Sequence, residues 1–189
     1  MKKKNLFAAV VVALALACGA ALTACSSEPD PKEAITADIA TQFDPVKNLD
    51  QTAIDELAAD VSATNDLEAY GIDGVAYVQS MLSGFDYEVK DVTVDESGES
   101  AVATVAITCK SFTDATARAT ELSEEFADSG EILDMSMDEM NKKIGSIMMQ
   151  AMDETQVKST DCTFDYQLVD GTWTFQDSAE QQLYNAFFA

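Results

Sequence analysis

With 189 residues, 34 acids against 11 bases and no histidine, the chain carries a net charge of −23. A field of that sign repels nucleic acid and anionic lipid surfaces, so composition excludes a nucleic-acid binder; it serves solubility and standing off a negative envelope, with a cationic partner or Ca²⁺ as the alternative. The missing histidine removes the commonest general base and a common metal ligand, and with them any Ser-His-Asp or Cys-His centre made from this chain alone.

The first predicted element is a leader. Lys2, Lys3 and Lys4 form a positive start, an apolar run follows from Leu6 to Ala17, and small residues continue towards Cys25. That is the three-part shape of an export signal. The run is shorter than the roughly 20 apolar residues of a spanning helix. Leu22-Thr23-Ala24-Cys25 resembles the lipobox of bacterial lipoprotein precursors. The resemblance covers residues 1–25. It implies cleavage before Cys25, a diacylglycerol thioether on its sulfur and an acyl chain on the new amine. It also implies export, with the protein facing outside the cytoplasm on a membrane lipid anchor. Several chains hold a protein stably where one holds it only marginally. Cys18, with Ala15 where the leucine should stand, falls in the discarded part. The expected organisation is a signal peptide at 1–24, a lipidated tether at 25–30 and a single domain at 31–189. No cofactor is expected beyond the lipid.

Asp30-Pro31-Lys32-Glu33 reads as a helix start, with Asp30 as cap and Pro31 at the first helical position. Ile35, Ile39 and Phe43 recur every four residues, and Asp44-Pro45 is expected to end the helix. Ile54, Leu57, Ala58 and Val61 form a second stripe starting near Asp50, and a short turn around Leu67 and Tyr70 closes at Gly71. Asp73 caps a third helix whose inward residues are Val75, Val78, Met81 and Leu82, stopped by Gly84.

The apolar period then changes to two. Tyr87 and Val89 alternate, then Val92 and Val94, and the slip of phase near Asp91 predicts a bulge. The loop from Asp95 to Glu99 turns the chain into a second strand with Val105, Ile107 and Cys109 on one face. Ser111 with Asp114, and Ser136 with Glu139, carry capping signatures for two helices in a segment of about 111–157. Met140, Ile144, Ile147 and Met148 are expected to line the second of these. A third strand follows, with Cys162, Phe164, Tyr166 and Leu168 on one face. Asp170-Gly171 predicts a type I′ hairpin into a fourth strand bearing Trp173 and Phe175. Ser178 and Gln181 cap a last helix carrying Leu183, Tyr184, Phe187 and Phe188. Helices followed by hairpins predict an α+β fold, with N-terminal helices on a small curved antiparallel sheet of about four strands, a helical insertion between the hairpins and a C-terminal helix.

Three groups of residues are candidates for chemistry. Cys109 and Cys162, in an oxidising compartment, are expected to form a structural disulfide if their strands are neighbours, with a redox-active pair as the alternative. Met135, Met137, Met140, Met148, Met149 and Met152 read first as filling for an irregular core and next as a hydrophobic partner surface; their soft thioethers also suit Cu(I), which is the alternative. Tyr166, Trp173 and Phe175 are candidates to line a pocket for a hydrophobic or peptidic ligand, although aromatics at strand spacing are more often core. Asp95, Glu96 and Glu99 at a hairpin tip offer a weak Ca²⁺ site against a plain solvated loop. A pair of carboxylates acting on an envelope glycan is the enzymatic alternative. Phosphate loops, nucleophile elbows and basic patches are missing from the sequence.

The element order, the Asp170-Gly171 turn and Trp173 after it are similar to small bacterial lipoprotein domains of the cystatin-like or nuclear-transport-factor-two-like kind. The resemblance covers about residues 31–189. It implies a curved sheet and helices around a cone-shaped pocket, and it lends no catalytic residue, because members that work by a His-Asp pair find no counterpart here. The chain therefore reads as a non-enzymatic module tethered to the membrane, with another envelope protein or a small hydrophobic or peptidic ligand as partner.

Overall fold

The structure is a computed structural model that describes residues 30–176 and 178–189. The leader, the lipobox and Cys25 lie outside the described residues.

Among the described residues, six helices and one sheet make an α+β domain. Asp30 accepts a hydrogen bond from the Lys32 amide at 2.9 Å and opens α1, Pro31–Lys47. Pro45 does not end this helix. It sits inside the last turn, where its missing N–H forfeits one hydrogen bond, and Val46 beyond it is buried. The Asn48 amide closes the extra turn on the Asp44 carbonyl at 2.9 Å. Asp50 caps α2, Gln51–Thr64, and Asp73 caps α3, Gly74–Leu82, with a 3₁₀ turn, Glu68–Tyr70, between them. Gly71 leaves that turn at φ +67°, a conformation glycine adopts without steric cost.

The strands are β1, Asp86–Val94; β2, Ser100–Lys110; β3, Val157–Val169; and β4, Thr172–Phe175. They are antiparallel in the order β1-β2-β3-β4. Val89 pairs with Val105 while Asp91 pairs with Thr104, so Lys90 is the extra residue of the expected bulge. Asp170 and Gly171 turn at φ +50° and +79°, as a type I′ hairpin requires. Between β2 and β3 the chain makes a helical hairpin of α4, Phe112–Ser129, and α5, Met137–Glu154, joined through a 3₁₀ turn at Glu131–Asp134. Ser136 and Glu139 complete a reciprocal capping box at the start of α5. The last helix, α6, Ser178–Phe187, contacts β2 and β3. The Ser178 hydroxyl, expected as a cap, donates instead to Asp165 at 2.7 Å.

One face of the sheet is buried under helices. Ile35, Ile39 and Phe43 of α1 share a core with Val105, Ile107 and Phe164, all at most 1% exposed. Each such side chain contributes about 1.5–3 kcal/mol through removal from water. The other face presents Val102, Thr163 and Asp165 to solvent. A smaller core of Leu122, Ile147 and Ala151 holds the helical hairpin together.

Candidate functional site

Strand register decides the fate of the aromatic candidates. Phe175 stands opposite Tyr166, and Trp173 opposite Leu168, so all four share the face of β3 and β4 that also carries Phe164. The structure therefore brings Tyr166, Trp173 and Phe175 together. The rings of Tyr166 and Phe175 pack against each other. Phe175 lies 4.6 Å from Tyr166 and 5.2 Å from Phe164, centroid to centroid, and Phe164 lies 5.9 Å from Phe43 on α1. Tyr166 is 1% exposed, and Trp173 and Phe175 pack half-buried against the same core. An open depression of about 410 Å³ occurs elsewhere, on α1, lined by Lys32, Glu33, Thr36, Ala37 and Ala40.

A polar contact ties this aromatic layer to α1. The Tyr166 hydroxyl donates to Asp38 at 2.9 Å, and Gln42, one helical turn on from Asp38, also bonds that carboxylate. Burial pushes the Asp38 carboxyl above its ordinary value, and the bonds from Tyr166 and Gln42 pull it back. The Gln42 side-chain oxygen is buried without a partner among the described residues.

The expected disulfide does not form. Cys109 and Cys162 are both buried free thiols. They do share one face of adjacent strands, as expected, but Cys162 pairs with Val105 and Cys109 pairs with Lys158. Four residues of offset along a strand separate the Cα atoms by about 13 Å. A disulfide requires less than about 7 Å. Each thiol instead faces a carbonyl of α6, Cys109 that of Ala186 at 3.5 Å and Cys162 that of Gln182 at 3.6 Å. Desolvation pushes Cys109 up to about 12 and Cys162 up to about 11, so both sulfurs are protonated and poor nucleophiles at neutral pH.

The methionines are divided rather than gathered. Met152 and Met149 turn into the main core, Met135 and Met140 are half-buried, and Met137 and Met148 are exposed. Met137 and Met148 lie on one stripe of α5 but about 16 Å apart along its axis, too far to share an ion. The expectation that Ile144 and Met148 face inward is corrected: each is 37% exposed, and of that set only Ile147 is fully buried.

At the β1–β2 turn Asp95 uses its oxygens within the loop, accepting from the Ser97 hydroxyl at 2.7 Å and from the Glu99 and Ser100 amides at 3.2 Å. These bonds hold its carboxyl down at about 2. Among the described residues no group of three His, Cys, Asp or Glu side chains is placed to hold a metal ion.

One polar cluster escapes sequence reasoning. Lys110, 6% exposed at the end of β2, donates to the Met152 carbonyl at 2.8 Å, and Ser80 of α3 donates to Asp153. The ammonium thus meets the negative end of α5, where a cation is favoured. Burial lowers its pKa and the nearby Asp153 charge raises it. No periodicity or motif marks these three residues, which meet only through the packing of three elements.

Set against family models, curated proteins and solved structures, the chain finds no match in any of the three comparisons.

Proposed function

We propose that the protein is an exported lipoprotein, anchored through Cys25, that works by contact with another envelope protein rather than by catalysis. The lipobox at Leu22–Cys25 supports the anchor. The observation that supports contact is the packing of Tyr166 and Phe175 against each other and against Phe164. Of the side chains best suited to line a small-molecule pocket, Tyr166 is thereby part of the core and Phe175 packs against it. Apolar surface is offered outward instead, most plainly by Leu133, which is 85% exposed at the tip of the helical hairpin. The likeness to cystatin-like or nuclear-transport-factor-two-like lipoprotein domains rests on element order, and fits a fold that leaves activity open.

Intact-mass analysis of the chain recovered from cells tests the anchor. The expected product begins at Cys25, carries diacylglycerol and acyl chains, and leaves the membrane fraction with detergent but not with salt. A full-length chain in the soluble fraction with Cys25 unmodified would refute it.

A further inference from the structure

The helical hairpin combines two surface properties at one place. The first is apolar. Leu133 in the connecting turn is 85% exposed and Met137 at the start of α5 is 76% exposed. Ile144 and Met148 continue the stripe. Residues 137, 144 and 148 fall within about 40° of one another around a helix of 3.6 residues per turn, in a line flanked towards the end of α5 by buried Ala151 and Met152.

The second property is charge. Residues 121–139 hold eight carboxylates, Glu121, Glu124, Glu125, Asp128, Glu131, Asp134, Asp138 and Glu139, and not one lysine or arginine. All eight are exposed. Nearby cations are already engaged. Arg118 pairs with Glu121, Glu125 and Glu154, Lys142 with Asp138, and Lys143 lies 5.3 Å from the Phe126 ring. Glu124, Asp128, Glu131 and Asp134 have no ion pair among the described residues.

Resting on the reading of the protein as a contact module, we infer that the apolar stripe that starts with Leu133 and Met137 at the tip of the α4–α5 hairpin, and runs along α5 to Ile144 and Met148, is a docking surface for a basic amphipathic polypeptide segment of a partner protein. The partner's apolar face covers the stripe, and its lysines and arginines meet the carboxylate rim. Charge selects this occupant. A second copy would bring eight carboxylates against eight, and an anionic membrane surface would repel the same rim. A basic segment gains both from burial and from the field. Met137 and Met148 add adaptability, since unbranched thioethers repack around partners of varied shape.

The test uses the protein recovered from membranes, shown to be lipidated at Cys25, in zwitterionic nanodiscs, with empty discs as blank. The probe is a fluorescent helical peptide of leucine and lysine with its leucines on one face; its scrambled isomer has the same charge and no such face. The amphipathic peptide is expected to bind about tenfold more tightly than the scrambled one. Leu133→Ser together with Met137→Ser is expected to abolish that difference. Glu124→Gln with Glu131→Gln is expected to weaken binding and flatten its salt dependence. Methyl NMR of the unsubstituted protein gives a reading independent of variant folding: the peptide shifts the ε-methyl signals of Met137 and Met148 and leaves that of buried Met152 in place.

Equal affinity for the two peptides, or affinity untouched by the Leu133/Met137 change, overturns the proposal. So does a dimer, or binding to lipid vesicles, that the same change removes, because the occupant is then a second copy or a membrane. The anchor stands or falls separately: failure of the peptide assay on chains shown to be lipidated at Cys25 removes this surface and leaves the anchor intact.

Discussion

The Tyr166 hydroxyl donates to the Asp38 carboxylate across 2.9 Å, joining the inner face of β3 to α1. Burial raises the Asp38 pKa above 3.8 in the folded protein. The folded state then holds the proton more tightly than the unfolded chain, so this group favours folding in acid and costs stability as the pH rises through its folded value. Asp38→Asn keeps an acceptor for the hydroxyl and removes the charge. In urea unfolding at several pH values, the variant is expected to gain on the parent as pH rises from about 4 to 7. Tyr166→Phe takes away a bond that lowers the Asp38 pKa, so it is expected to cost about 1–3 kcal/mol at neutral pH and to steepen the dependence. Parallel curves for parent and Asp38→Asn would contradict the assignment.

Both thiols beneath α6 are expected to be inert in the folded state. Native protein, left unreduced, should react slowly with a charged thiol reagent. In urea Cys109 and Cys162 should then react together, since unfolding removes the burial that pushes them up to about 12 and about 11. Absence of any titratable thiol at these two positions in urea without reductant would show a disulfide, and with it a different register of β2 against β3.

Lys110 should act as a clamp between β2 and the end of α5. Lys110→Met takes the shorter of two donors from the Met152 carbonyl and leaves it only the Thr155 amide at 3.3 Å, at an expected cost of about 1–3 kcal/mol in chemical denaturation. Ser80→Ala frees Asp153 in the same cluster, so the double variant should lose less than the two single losses added together. Strict additivity would show two independent contacts.

Gly145 gives a prediction opposite in sign to helix propensity. In an isolated helix, alanine is preferred over glycine by about 1 kcal/mol. Here a Cβ at 145 would stand 2.0 Å from the Tyr70 carbonyl oxygen, which is backbone and cannot swing aside. Gly145→Ala is expected to push α5 away from the Glu68–Tyr70 turn and to lower stability by about 1–3 kcal/mol. An unchanged or higher midpoint would mean that the turn is free to move.

The elements that the sequence announced most clearly are those whose signal is local. Asp30, Asp50, Asp73 and Ser136 cap their helices because a side-chain oxygen beside free amides needs no distant partner. The phase slip near Asp91 and the Asp170-Gly171 turn are equally local, and both are where periodicity and turn chemistry put them. Pro45 was misleading because its local penalty is small in a last turn that buries Val46. The candidate sites were less legible. Sharing a strand face, as Cys109 and Cys162 do, says nothing of their offset along the ladder. Ile144 and Met148 sit at helical spacing in an apolar pattern, which cannot tell a face turned to a core from one turned to water.

By itself, the sequence determined the α+β class, the order of the elements and a strongly acidic chain without histidine, because caps, turns, periodicity and charge are properties of neighbouring residues. Tertiary structure alone decided that Tyr166 is core with Trp173 and Phe175 half-buried against it, that the two thiols are separated, that Lys110, Ser80 and Asp153 meet, and that Met152 is covered while Met137 and Met148 stay exposed. Those outcomes depend on strand register and helix packing, which are set by the fit of segments far apart in the chain.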